Sequence, residues 1–103
     1  MLNVLPPQTV PPLEANDAHA AAFEALAHVT RLKVFFHLVR AGGEVAAGDI
    51  QRALGVPAPT LSHHLDVLRR AGLVQSRKEE RYVFYSVKAE TVRDLVRLLT
   101  ACC

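Results

Sequence analysis

Between residues 16 and 54, apolar side chains recur at helical spacing in three successive blocks. Ala18, Ala22, Phe23, Leu26 and Ala27 share one face of a helix that Asn16 or Asp17 can cap and that runs to about residue 28. A second helix begins near Thr30. Leu32, Val34, Phe35, Phe36, Leu38 and Val39 make it apolar over most of its circumference, which predicts a central place in the core, and Gly42-Gly43 stop it. A shorter third helix fits residues 46–54. The run Gly55-Val56-Pro57-Ala58 then breaks the chain tightly, and Pro59 is acceptable in the first turn of a fourth helix that reaches about Ala71. Past Gly72 the composition turns β-branched and aromatic. Val74-Gln75-Ser76-Arg77 and Tyr82-Val83-Phe84-Tyr85-Ser86-Val87 predict a β-hairpin with the charged tip Lys78-Glu79-Glu80-Arg81. From about Ala89 the helical period returns, with Val92, Leu95, Val96, Leu99, Cys102 and Cys103 on a single stripe. Four of the six prolines fall in residues 6–12, without any hydrophobic period, so residues 1–15 are expected to form a flexible arm.

The order helix, helix, short helix, tight turn, helix, hairpin, helix predicts a mainly α (α+β) winged helix-turn-helix over residues 16–103, with five helices and a β-hairpin wing. Helices three and four are too short to be stable alone and must lean on helix two, which leaves the second of the pair with one free face to enter a groove. At 100° per residue, Leu61, Leu65 and Leu68 fall on one side of helix four, while Ser62, His63, Asp66 and Arg70 point the other way. His64 lies at the boundary, where packing against the wing is the plain structural account. Ser62 and His63 are short hydrogen-bonding side chains at the end that a recognition helix presents to base edges, and Thr60 stands at the same end. Arg77, Lys78 and Arg81 on the hairpin are placed for a minor groove or flanking phosphates. His19, His28 and His37 lie on or beside the first two helices and are expected at the surface or its boundary.

A chain of 103 residues has room for a single domain, which excludes a two-domain enzyme. The formal charge is only +2, but its distribution is uneven: residues 1–30 hold Glu14, Asp17 and Glu24 without a Lys or Arg. Arg69, Arg70, Arg77, Lys78 and Arg81 stand against only Glu79 and Glu80, a patch suited to a polyanion. On charge alone a solvated surface is the better account, since short Lys/Arg clusters are common on protein surfaces. No stretch approaches the roughly 18–20 apolar residues of a membrane helix, and no basic start precedes an apolar block, so a cytoplasmic protein is expected.

The run His28-Val29-Thr30-Arg31-Leu32, the segment Thr60-Leu61-Ser62-His63-His64-Leu65 with Leu68-Arg69-Arg70-Ala71-Gly72-Leu73-Val74, and the wing ending Tyr82-Val83-Phe84-Tyr85-Ser86 resemble the arsenic-repressor (ArsR/SmtB) family of bacterial transcriptional regulators over about residues 20–103. The resemblance implies a homodimer through the first and last helices, an inverted-repeat operator, and release by a toxic metal or metalloid. It also exposes departures. Where arsenic and cadmium sensors of the family resemble Glu-Leu-Cys-Val-Cys-Asp-Leu, this chain has Glu44-Val45-Ala46-Ala47-Gly48-Asp49-Ile50, without either thiol. The histidines of the zinc-type site on the last helix are absent from residues 88–103.

Cys102 and Cys103 remain as the candidate effector ligands. In the cytosol they are expected as thiols, and core packing is their plain alternative. A vicinal pair suits a thiophilic centre such as trivalent arsenic or antimony better than zinc, which takes four ligands. Adjacent Cα atoms lie about 3.8 Å apart, short of the roughly 4.4–6.8 Å of ordinary disulfides, so an internal bridge would be strained. The ending Leu98-Leu99-Thr100-Ala101-Cys102-Cys103 also resembles an arsenic-responsive subgroup of the family. Two thiols leave the third position of pyramidal arsenic open, which suits methylarsenite as well as arsenite. The chain is therefore expected to be a metalloid-responsive repressor that needs no cofactor to bind DNA. A thiol-based redox or persulfide sensor on the same fold is the alternative. A small dithiol oxidoreductase is the reading from another class, disfavoured because no Cys-x-x-Cys, glycine-rich phosphate loop or triad is present.

Overall fold

The computed structural model describes residues 14–101. Five helices and three strands follow in the order α1 (Asp17–Leu26), α2 (Val29–Ala41), β1 (Val45–Ala46), α3 (Ala47–Leu54), α4 (Ala58–Arg70), β2 (Val74–Glu79), β3 (Tyr82–Val87) and α5 (Ala89–Thr100). The expected 1–15 arm lies largely outside the described residues, as do both cysteines.

Asn16 caps α1 as predicted, its side chain accepting the His19 N–H at 3.0 Å while His19 Nδ1 accepts the Asn16 N–H at 3.1 Å. The helix ends at Leu26, two residues short of the expected boundary, because His28 caps α2 and accepts the Thr30 N–H at 3.1 Å. Gly42 and Gly55 close α2 and α3 in the left-handed conformation, at φ 71° and 67°, which a β-carbon would disfavour.

One strand was not foreseen. Val45 and Ala46, expected in the glycine-stopped loop and the start of helix three, pair antiparallel with Tyr85 and Phe84, so the wing is a three-stranded sheet of order β1-β3-β2. The hairpin tip is also tighter than expected. Lys78 and Glu79 belong to β2, opposite Val83 and Tyr82, which leaves a two-residue turn of Glu80 and Arg81 with Glu80 at φ 57°.

The core lies where α2, α3 and α4 meet the base of the sheet: Val34, Leu38, Ile50, Leu65, Leu68, Leu73 and Val74 are all fully buried. Each such side chain contributes about 1.5–3 kcal/mol relative to exposure. The central position of α2 is as expected, but its apolar surface is not covered all round. Val29, Leu32, Phe36 and Val39 form an exposed stripe, Phe36 being 50% exposed. On α5, Leu95 is buried, while Val96 and Leu99 stand 52% and 62% exposed along the outer side of the helix.

Candidate nucleic-acid interface

The turn from α3 to α4 sets the interface. Gly55 donates its N–H to the Gln51 carbonyl at 2.8 Å, and Pro57 precedes the first turn of α4 with Pro59 inside it. Leu61, His64, Leu65 and Leu68 are buried beneath α4, and Thr60, Ser62 and His63 are exposed at its N-terminal end. The sequence-predicted residues of this helix therefore share one accessible surface.

His64 faces α2, not the wing. Only 6% exposed, it lies with its ring centroid 4.7 Å from that of His28 and 5.7 Å from that of His63. Its Nδ1 is 3.3 Å from an Arg31 guanidinium nitrogen, and since arginine only donates, Nδ1 must accept and the ring is neutral with its proton on Nε2. Burial, reinforced by His28, Arg31 and His63, holds the His64 pKa below its ordinary value. Arg31 also donates from Nε to the Ala25 carbonyl at 2.6 Å, so one side chain joins the end of α1, the first turn of α2 and the underside of α4. His19 likewise departs from the expected surface position. It is 8% exposed and, with Nδ1 occupied by the Asn16 N–H, donates from Nε2 to Asp94 of α5 at 2.9 Å. That bond and Arg97 hold the Asp94 carboxyl below the usual range.

The cations predicted to meet DNA differ in how they are held. Arg70 is paired with Asp66, which also accepts from Arg69. Arg77 grips Glu44 in bidentate fashion at 2.8 and 2.9 Å, reaches Glu79 at 3.3 Å and lies 4.8 Å over the Phe84 ring. The Glu44 carboxyl is held below its ordinary range chiefly by its hydrogen bond to Arg77. Lys78 and Arg81 form no ion pair among the described residues. Arg81 rests over the Tyr82 ring at 5.3 Å and donates to its hydroxyl at 3.3 Å.

Glu44, Asp66 and Arg31 did not figure among the predicted site residues. For Asp66 the signal was present, since a carboxylate three and four residues before two arginines pairs with both on a helix. For Glu44 nothing local announced it, because its partner lies 33 positions away across the sheet. Cys102 and Cys103 lie outside the described residues. Among the described residues, no group of three or more His, Cys, Asp or Glu is arranged to hold a metal ion, the His28, His63 and His64 cluster included. None of the helices described is long and apolar enough to cross a membrane.

Comparison with known proteins gives this geometry a family. The Helix-turn-helix domain family matches residues 26–77, from the end of α1 into the wing. The biofilm growth-associated repressor of Xylella fastidiosa is 32% identical over 105 aligned positions, covering 96% of this chain and 90% of that protein. The solved structure of HlyU from Vibrio cholerae is similar with a TM-score of 0.66 at 33% identity, over 85% of this chain and 98% of that one. A homodimeric winged helix-turn-helix DNA-binding domain from Mycobacterium bovis, described as a possible ArsR-family regulator, is similar with a TM-score of 0.68 at 34% identity, over 84% of this chain and 78% of that one. With its recognition-type α4, its wing and these relatives, the chain belongs to the ArsR family of helix-turn-helix transcriptional regulators.

Proposed function

We propose that the protein is a cytoplasmic, homodimeric repressor that binds an inverted-repeat operator and leaves it when trivalent arsenic or antimony binds Cys102 and Cys103. The observation that carries the DNA-binding part is the free face of α4. Thr60, Ser62 and His63 are exposed at its N-terminal end, beside a wing whose Lys78 and Arg81 form no ion pair among the described residues. Ser62 and His63 meet base edges, Thr60 and Arg70 border them, and Lys78 and Arg81 take phosphates. Arg77 reaches a phosphate by exchanging Glu44 for it. The exposed Val96 and Leu99 support a dimer seam that includes α5, with α1 joined to α5 through His19 and Asp94.

Support for the effector part comes from the vicinal thiols, which in sequence follow the helix proposed to carry this seam after a single residue, Ala101. A metalloid bound there alters the pairing of the two protomers, and a coupling of about 1–3 kcal/mol lowers operator affinity roughly 5–150-fold. The decisive experiment is binding of the protein to an inverted-repeat promoter fragment, with and without arsenite, methylarsenite, antimonite, zinc, cadmium or peroxide. A Cys102→Ser/Cys103→Ser variant is run in parallel. Release by the trivalent metalloids alone, lost in the variant, supports the proposal. Release by peroxide alone assigns the thiols to redox sensing, and an equal response of the variant removes the cysteines from the mechanism.

A further inference from the structure

Asp66 occupies the centre of the exposed face of α4, one turn after Ser62 and His63 and one turn before two arginines. Both of its oxygens are engaged. Oδ1 accepts from the Arg69 guanidinium at 2.7 Å, and Oδ2 accepts from Arg70 Nε at 2.8 Å and from a second nitrogen of the same guanidinium. Pairs at this spacing ordinarily stabilise a helix, and Asp49 with Arg52 on α3 is such a pair. The α4 group differs in two ways: one carboxylate holds two arginines at once, and all three stand on the helix whose N-terminal end carries the candidate base contacts. Unrestrained, Arg69 and Arg70 would bring affinity for any duplex, since phosphate contacts carry no sequence information.

We infer that Asp66 is a specificity-determining residue, a carboxylate latch that keeps Arg69 and Arg70 off the phosphates of non-cognate DNA. In the cognate complex the N4 amino group of a cytosine in the major groove donates to the carboxylate in their place, and the released guanidiniums turn to the backbone. On non-cognate DNA no donor meets Asp66, the arginines stay held, and the carboxylate repels the nearby phosphates. The inference rests on the reading of α4 as the DNA-binding helix and deepens it.

The test begins with a duplex selected from a random pool by the full-length wild-type protein. Affinity for this duplex and for mixed-sequence sonicated DNA is then measured from about 50 to 200 mM salt for the wild type, Asp66→Asn and the control Asp49→Asn. Asp66→Asn is expected to bind mixed DNA more tightly and to narrow the preference for the selected duplex. The salt slope on mixed DNA should steepen by about 0.9 for each arginine freed, so one per protomer makes a dimer lose roughly 12-fold more affinity across that range. A pool reselected with the variant should show a cytosine position turned degenerate. In an Arg69→Gln/Arg70→Gln background, Asp66→Asn should leave the slope nearly unchanged, and Asp66→Glu should restore most of the wild-type preference. An unchanged slope and preference in Asp66→Asn, with helix content intact by circular dichroism, overturns the inference while leaving DNA binding standing. A wild type that selects no duplex from the pool overturns both.

Discussion

The wing supplies a quantitative test, because its cations are held so differently. Replacing Lys78 and Arg81 together by glutamine removes the two wing cations that have no carboxylate partner among the described residues. Each phosphate contact contributes about 0.9 to the slope of log affinity against log salt. A dimer presents two wings, so the loss of both residues removes up to four contacts and lowers the slope by about 3.6. Between about 50 and 200 mM salt, the wild type then loses ~150-fold more affinity than the variant does. Arg77→Gln should behave otherwise. Its guanidinium is already neutralised by Glu44, at 2.8 and 2.9 Å, so moving it to a phosphate leaves Glu44 to recruit a counterion and the net ion release is near zero. Affinity falls while the slope stays close to that of the wild type. Fluorescence anisotropy of a labelled inverted-repeat duplex at five or so salt concentrations measures all three slopes. A Lys78→Gln/Arg81→Gln slope equal to that of the wild type refutes phosphate contact by the wing, and a steep drop with Arg77→Gln alone refutes neutralisation by Glu44.

Three further outcomes are expected. Leu99→Glu places a charge on the more exposed of the two uncovered large apolar residues of α5 and should convert the proposed dimer to a monomer in sedimentation, with a native circular dichroism spectrum; an unaltered dimer would move the seam elsewhere. Glu80 holds φ 57°, a conformation that costs a side-chain-bearing residue about 1–2 kcal/mol, so Glu80→Gly, after the entropy that glycine loses on folding, should raise stability by about 0.5–1 kcal/mol in urea melts. His64 has its pKa lowered on folding, so the stability it contributes is whole above its ordinary value of 6.5 and is lost as pH falls from there through the depressed folded value. The melting temperature of the wild type should drop over that window, and that of His64→Gln, whose amide oxygen can still accept from Arg31, should drop less; parallel curves would exclude His64 as the titrating group.

What the chain announced and what it concealed follow a physical division. Elements built from local period and local stops were readable: α2 to Gly42, the break at Gly55, the second face of α4 and the paired strands of the hairpin all stand near their expected places. The winged helix-turn-helix read from the order of elements is the fold found, and the homodimer implied by the resemblance is the state of a winged helix-turn-helix neighbour. Features made by distant partners were not readable. Two residues cannot signal a strand by alternation, so β1 exists only because Phe84 and Tyr85 offer it an edge. His19 resembles a surface histidine until Asp94, 75 positions later, comes within 2.9 Å. His64 carries no mark of whether it turns to the wing or to Arg31. Arg77 belongs to a basic run in sequence, yet Glu44 neutralises it through space, so a count of local charge overstated the free positive charge of the wing. The apolar surface of α2 misled in the opposite direction, since periodicity cannot distinguish a position buried within one protomer from one left uncovered.

The smallest strand has a mechanical consequence. Because β1 passes into α3 without an intervening loop and is stitched to β3, the wing and the α3–α4 pair are fastened to a common frame. A shift of one of these parts within a subunit must carry the other with it or break the β1–β3 pairing. In the proposed repressor, a signal would therefore act on the gap between two such frames, which would have to span about 34 Å, one turn of the double helix, for both heads to seat together.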